Sequence, residues 1–122
     1  MRVLVVDDSR AIRTILGRMM REMGFEVTEA GNGLEALSQL EQNTDVGLAL
    51  VDWNMPEMNG FDFVKEVRGR SQHNDVRLMM ITTETEMEQV IKALEAGANE
   101  YVMKPFTAEV IAEKLEIMGI GA

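Results

Sequence analysis

Apolar residues fall into two patterns that alternate along the chain. Short, nearly unbroken runs occur at "VLVV" (3–6), "VGLALV" (46–51) and "VRLMMI" (76–81). Runs of this length suit strands covered on both faces. "FEVTEA" instead alternates Phe25 and Val27 with polar residues, which suits an edge strand, and a short strand is expected around Tyr101 to Met103. Between these runs apolar residues recur at helical spacing. The first helix carries Ile12, Ile15, Leu16, Met19 and Met23, and the second Leu34, Leu37 and Leu40. Phe61, Val64 and Val67 mark the third. Met87, Val90, Ile91 and Leu94 give the fourth its buried stripe, and Ile111, Leu115 and Met118 mark the fifth.

The punctuation agrees with this division. Ser9, Asn59 or Gly60, and Thr107 stand where helices should start, and Gly24 and Gly97 where helices should stop. "GNG" turns the chain into the second helix. Thr83 with Glu86, and Thr85 with Glu88, have the spacing of reciprocal capping pairs before the fourth helix. Five strand-helix units follow. Strands alternating with helices of this length imply right-handed parallel crossovers, so the fold class is α/β, a doubly wound five-stranded parallel sheet.

Composition narrows the function. At 122 residues, with 46% hydrophobic and 27% charged, the chain has the size and make-up of one globular domain spanning 1–122. A net charge of -9 disfavours nucleic acid, whose phosphates need clustered Lys and Arg. The absence of cysteine removes thiolate chemistry and fits a reducing compartment. No apolar run approaches the ~20 residues that span a bilayer, so a cytoplasmic location is expected, with no membrane partner and a monomer as the default.

Chemistry collects at the strand ends. In open α/β sheets ligands bind beyond the carboxyl ends of the strands. Asp7 and Asp8 follow the first strand, Asp52 ends the third, Thr82 ends the fourth and Lys104 follows the fifth. Each alone could simply cap the next helix. Three converging carboxylates are harder to explain that way, because each pair at ~4 Å and a dielectric of ~20 repels by about 4 kcal/mol. A proton on one of them, or a divalent cation, relieves that repulsion. An all-oxygen set with few carboxylates suits Mg²⁺ better than a Ca²⁺ cage. Open positions around such an ion would admit a phosphoryl group, with Thr82 and Lys104 placed to neutralise it.

The set "VVDDS", "VDWNMPEMNG", "MMITTE" and "YVMKPF", in this order across the whole chain, resembles the response-regulator receiver domain of two-component systems, in particular the stand-alone chemotaxis type. The resemblance implies a flavodoxin-like (βα)5 fold with strand order 2-1-3-4-5. It implies that Asp52 takes a phosphoryl group from a sensor histidine kinase. Asp8, Asp52 and the backbone carbonyl of Asn54 would ligate Mg²⁺, Asp7 would hold a water of the ion's shell, and Thr82 and Lys104 would bind phosphoryl oxygens. Thr82 and Tyr101 would act as the switch, altering the face formed by helix four, strand five and helix five toward a downstream protein target, the flagellar motor switch being one candidate. Asn54 and Glu84 would modulate water attack on the acyl phosphate, with identities of the fast-resetting type. Lys104-Pro105 would be cis. The protein would be a signalling phosphoacceptor, not an enzyme acting on an outside substrate. Asn59 stands where the family often has Asp, and both cap helices. With the last helix ending in "MGIGA", a stand-alone receiver without an output domain is expected.

Other features carry less. His73, in "SQHND", is expected to be a solvent-exposed loop residue. The eleven methionines are expected in the core, and Arg10, Arg13, Arg18 and Arg21 on a solvated face of helix one that could guide an acidic kinase domain. Trp53, beside Asp52, should report events there by fluorescence. Two other functions remain open within the fold: a flavin mononucleotide carrier, which "DDS" disfavours by repelling phosphate, and a Mg²⁺-dependent phosphohydrolase, for which no acid/base carboxylate can be placed. Within the family, a phosphate sink or relay receiver would share the same site.

Overall fold

The computed structural model describes residues 1–83 and 87–121. Its order is β1 (Arg2–Val6), α1 (Arg10–Glu22), β2 (Glu26–Ala30), α2 (Gly33–Gln42), β3 (Val46–Asp52), α3 (Gly60–Arg68), a 3-10 helix (Ser71–His73), β4 (Arg77–Thr82), α4 (Met87–Ala96), β5 (Glu100–Met103) and α5 (Ala108–Ile117). The strands form one parallel sheet in the order β2-β1-β3-β4-β5. The order reverses between β1 and β3, so the crevice above their carboxyl ends is the switch point where such sheets bind ligands. Among the described residues no helix is long and apolar enough to cross a membrane.

The two-residue period of each strand sorts its side chains into two cores. Val3, Val5, Leu48, Leu50, Met79 and Ile81 face α1 and α5, where they meet Leu16, Met20, Ile111 and Leu115. Leu4, Val6, Ala49, Val51, Leu78 and Met80 face α2, α3 and α4, packing with Leu37, Phe63, Val64 and Ala93. The central strands are thus apolar through their buried middles, Val3–Val6, Leu48–Val51 and Leu78–Ile81, while β2 lies at the edge with Glu26 exposed.

The helix starts follow the sequence signals. Ser9, Asn32, Asn59 and Thr107 each accept a hydrogen bond from the backbone N–H three residues on, as N-caps do. Gly24 (φ 97°) and Gly97 (φ 124°) sit in the left-handed region after α1 and α4, a conformation that a Cβ disfavours. The capping pairs expected at Thr83 and Thr85 fall partly on residues 84–86, outside the described residues.

Four apolar positions on the expected helix faces are exposed. Ile15 (45% exposed), Leu34 (52%), Ile91 (54%) and Leu94 (37%) lie at the margins of their helices. Small residues, Gly17 in α1, Ala36 in α2 and Ala93 in α4, occupy the line of closest approach to the sheet, leaving the flanking aliphatics in solvent. Most methionines with described side chains are buried or half-buried, Met1 and Met103 being exposed.

His73 also departs from expectation. It is 5% exposed, folded into the 3-10 helix, with Nε2 3.1 Å from Oε1 of Glu41 on α2. The polar neighbours of "SQHND" hid this burial, because the 3-10 helix turns one residue of the stretch inward against α2.

Candidate functional site

The carboxylates are delivered by backbone pairing. Asp7 N–H donates to Ala30 O (3.1 Å), extending β1 beside β2 by one residue. Asp52 pairs with Ile81 in the β3–β4 register, and Trp53 N–H continues the ladder to Ile81 O (3.1 Å). Lys104 N–H donates to Thr82 O (2.6 Å), which sets Lys104 beside the end of β4. The Lys104-Pro105 peptide that follows is cis.

One oxygen from each of Asp7, Asp8 and Asp52 lies within 4.8 Å of the others. Asp7 and Asp52 are buried, at 1% and 5% exposure, and Asp8 is open to solvent. Lys104 Nζ donates to Asp52 Oδ1 at 3.0 Å and stands 3.9 Å from Asp7 Oδ2. Ser9 N–H donates to Asp7 Oδ1 (2.8 Å). Among the described residues, Asp7 Oδ2 is buried without a hydrogen-bond partner. A buried acceptor left without a donor costs about 1–3 kcal/mol. Burial, then the neighbouring Asp7 and Asp8 charges, pushes the Asp52 carboxyl up to about 6 against the pull of Lys104. Burial likewise raises Asp7, opposed by the Ser9 N–H and Lys104.

A buried carboxylate oxygen with no hydrogen bond, in a cluster of three carboxylates without His or Cys, is the chemistry that fits a hard divalent cation. Thr82 is buried at the end of β4, with its hydroxyl 3.4 Å from Thr83 O. Asn54 is exposed in the loop after β3. That loop turns sharply at Glu57 (φ 68°), where Met58 N–H donates to Pro56 O at 2.7 Å. It closes onto α3 through Gly60, whose N–H donates to Trp53 O. A Cβ at Gly60 would lie 2.7 Å from Met80 Cε and 3.0 Å from Asp52 O, so glycine permits the close approach.

Tyr101 is half-buried on β5 and packs against the core, with Lys114 Nζ 4.9 Å from its ring centroid. Glu84 lies outside the described residues. Trp53 is 8% exposed, its ring centroid 6.1 Å from that of Phe61.

Arg13, expected from the sequence on a solvated face, is instead part of the site's support. Its Nη1 donates to Asp7 O (2.6 Å) and its Nε to Glu29 Oε1 (3.3 Å), so it holds the backbone that presents the acidic pair. Its place one turn into α1, on the side toward β2, was the available signal.

The family model described as the response regulator receiver domain matches residues 3–116. The chain belongs to the response-regulator receiver family. Among this receiver's relatives, chemotaxis protein CheY1 of Helicobacter pylori is 48% identical over 97% of the chain and 96% of its own length. The chemotaxis protein CheY homolog of Campylobacter jejuni is 46% identical over 100% of the chain and 95% of its own. The solved structure of chemotaxis protein CheY4 of Vibrio cholerae superposes with a TM-score of 0.87 at 37% identity, covering 95% of this chain and 96% of that one. These matches place the receiver among CheY-like chemotaxis response regulators, which are signalling proteins rather than turnover enzymes.

Proposed function

We propose that this receiver is a switch set by phosphorylation of Asp52. The observation that carries the reading is the buried Asp52 carboxylate, 3.0 Å from the Lys104 ammonium and grouped with Asp7 and Asp8 in a chain of this family. An Asp52 oxygen attacks the phosphorus of a phosphohistidine on a sensor histidine kinase, the P–N bond breaks, and the imidazole keeps the electron pair and takes up a proton. The product is an acyl phosphate. A group titrating near 6 is mostly ionised at neutral pH yet desolvated, which suits a nucleophile.

Asp8, Asp52 and the backbone carbonyl of Asn54 would hold Mg²⁺, with Asp7 ordering its water shell. When bound, Mg²⁺ supplies positive charge that offsets the carboxylates and the incoming phosphoryl oxygens. Lys104 exchanges its contact with the free carboxylate for one with a phosphoryl oxygen, and the Thr82 hydroxyl donates to another. Asn54 and Glu84 set the rate of water attack on the acyl phosphate. The whole chain, 1–122, works as one such unit.

The output follows as a population shift, because phosphate favours the arrangement in which Thr82 and Lys104 reach it. Tyr101 couples that choice to the α4–β5–α5 face, where Ile91, Met103, Val110 and Ile117 are exposed and available to a protein partner. By the names of the relatives, a chemotaxis component such as the flagellar motor switch is the proposed target. Trp53 fluorescence tests the site. Mg²⁺ followed by a small phosphodonor should change it stepwise in the wild type. Asp52→Asn should abolish the second step and Lys104→Ala should weaken it, whereas an unchanged second step in Asp52→Asn would overturn the assignment.

A further inference from the structure

At the opposite end of the sheet from Asp52, residues at the ends of α1 and α5 line a groove of about 290 Å³. Met23, Phe25, Ala112, Leu115 and Ile120 line it, with Glu116 on its wall. Phe25, Leu115 and Ile120 are core residues whose edges form the floor. The small side chain of Ala112 on α5 keeps the groove open, and the space can take one or two large aliphatic or aromatic side chains.

The charges around it are mainly acidic. Glu116 is exposed, as are Glu113 one turn earlier on α5 and Glu22 next to Met23. Arg21, in the last turn of α1, folds back over Gly17 on the side toward Val27, and the other nearby cations are committed or set back. Arg77 Nη1 donates to Met118 O (2.7 Å), and Lys114 Nζ reaches Glu100 Oε1 (3.2 Å). Arg18 lies one turn further along α1. An apolar floor with an acidic rim selects a ligand with the reverse arrangement.

We propose that this groove docks a basic segment of a partner protein, in which a bulky apolar side chain is flanked by Lys or Arg. Phe25 precedes β2 and Ile120 follows α5, so both sit at the amino edge of the parallel sheet. Asp52 closes the carboxyl edge, roughly 20 Å away at about 3.3 Å per strand residue. Docking there is therefore independent of the state of Asp52. It supplies a constant tether, separate from the face proposed to respond to phosphate.

The test titrates the ¹⁵N-labelled full chain with a short amphipathic Leu/Lys peptide, and in parallel with a Leu/Glu peptide of identical apolar positions. The Leu/Lys peptide should shift the amides of Met23, Phe25, Ala112 and Ile120, and the Leu/Glu peptide should not. Glu113→Lys/Glu116→Lys should weaken binding about tenfold, as two rim charges turned from attraction to repulsion would. Glu88→Lys/Glu95→Lys, with the same net charge but on α4, should leave it unchanged, as should Asp52→Asn. The proposal is overturned by any of four results. These are shifts centred on Met103 and Ile117, equal weakening in the two double variants, no binding of either peptide, or self-association of the chain that occupies the groove.

Discussion

Asp52 is held in the fold at a cost, and the proposed phosphoryl transfer would draw on it. Its carboxyl titrates near 6, against 3.8 for an ordinary aspartate, so the folded state binds the proton more tightly than the unfolded chain. The stability this lends is fully present below about pH 3.8 and is lost as pH rises through about 6. In chelator, unfolding by urea should therefore show the wild type less stable at pH 7.5 than at pH 5 through this group. The rise from 3.8 to about 6 corresponds to at most about 3 kcal/mol. Asp52→Asn should flatten that dependence and be the more stable protein at pH 7.5, by about 1–3 kcal/mol. Mg²⁺ should stabilise the wild type more at pH 7.5 than at pH 5, and equal Mg²⁺ effects at the two values would contradict the site. His73 gives a second residue-scale prediction. Its burial against Glu41 makes His73→Ala destabilising by about 1–3 kcal/mol in a denaturant midpoint, whereas a loop histidine would leave the midpoint unchanged.

At the scale of elements, the strands and caps were legible because they rest on local chemistry. The runs at 3–6 and 46–51 are buried strands, and Ser9, Asn59 and Thr107 cap their helices through the hydrogen bonds expected of such residues. Asn59→Ala should cost about 1 kcal/mol and Asn59→Asp almost nothing, since either polar side chain can accept from the Asp62 N–H. The exposure of Ile15 and Leu34 was not legible, because helical spacing locates an apolar face without saying how closely small residues let it approach the sheet. The turn at Glu57 was hidden for a related reason. A glutamate carries no mark of the left-handed conformation that Pro56 and Met58 impose on it. Relief of that strain predicts that Glu57→Gly gains about 0.5–1 kcal/mol in thermal unfolding, the freedom of glycine in the unfolded chain offsetting part of the gain. A loss on substitution would mean that the Glu57 side chain makes a contact worth more than the strain.

At the scale of the molecule, the parallel sheet gathers residues from four strands that lie far apart in the chain. Periodicity predicted the strands, and the rule that ligands bind at carboxyl edges pointed to the edge where Asp7, Asp52 and Lys104 lie together and where Thr82 ends β4. The pairing of Lys104 with Asp52, the unpartnered Asp7 Oδ2 and the hold of Arg13 on the Asp7 carbonyl depend on side-chain geometry, which only the assembled sheet provides. All three bear on one claim, that Asp52 is the phosphoryl acceptor. The direct measurement is intact mass, with peptide mapping, of wild type and Asp52→Asn after exposure to a small phosphodonor with Mg²⁺. The account predicts one phosphoryl group on the wild type, mapped to Asp52 and absent when Mg²⁺ is chelated, and none on the variant. A wild type that gains no phosphate, or a variant that gains it equally, would contradict it.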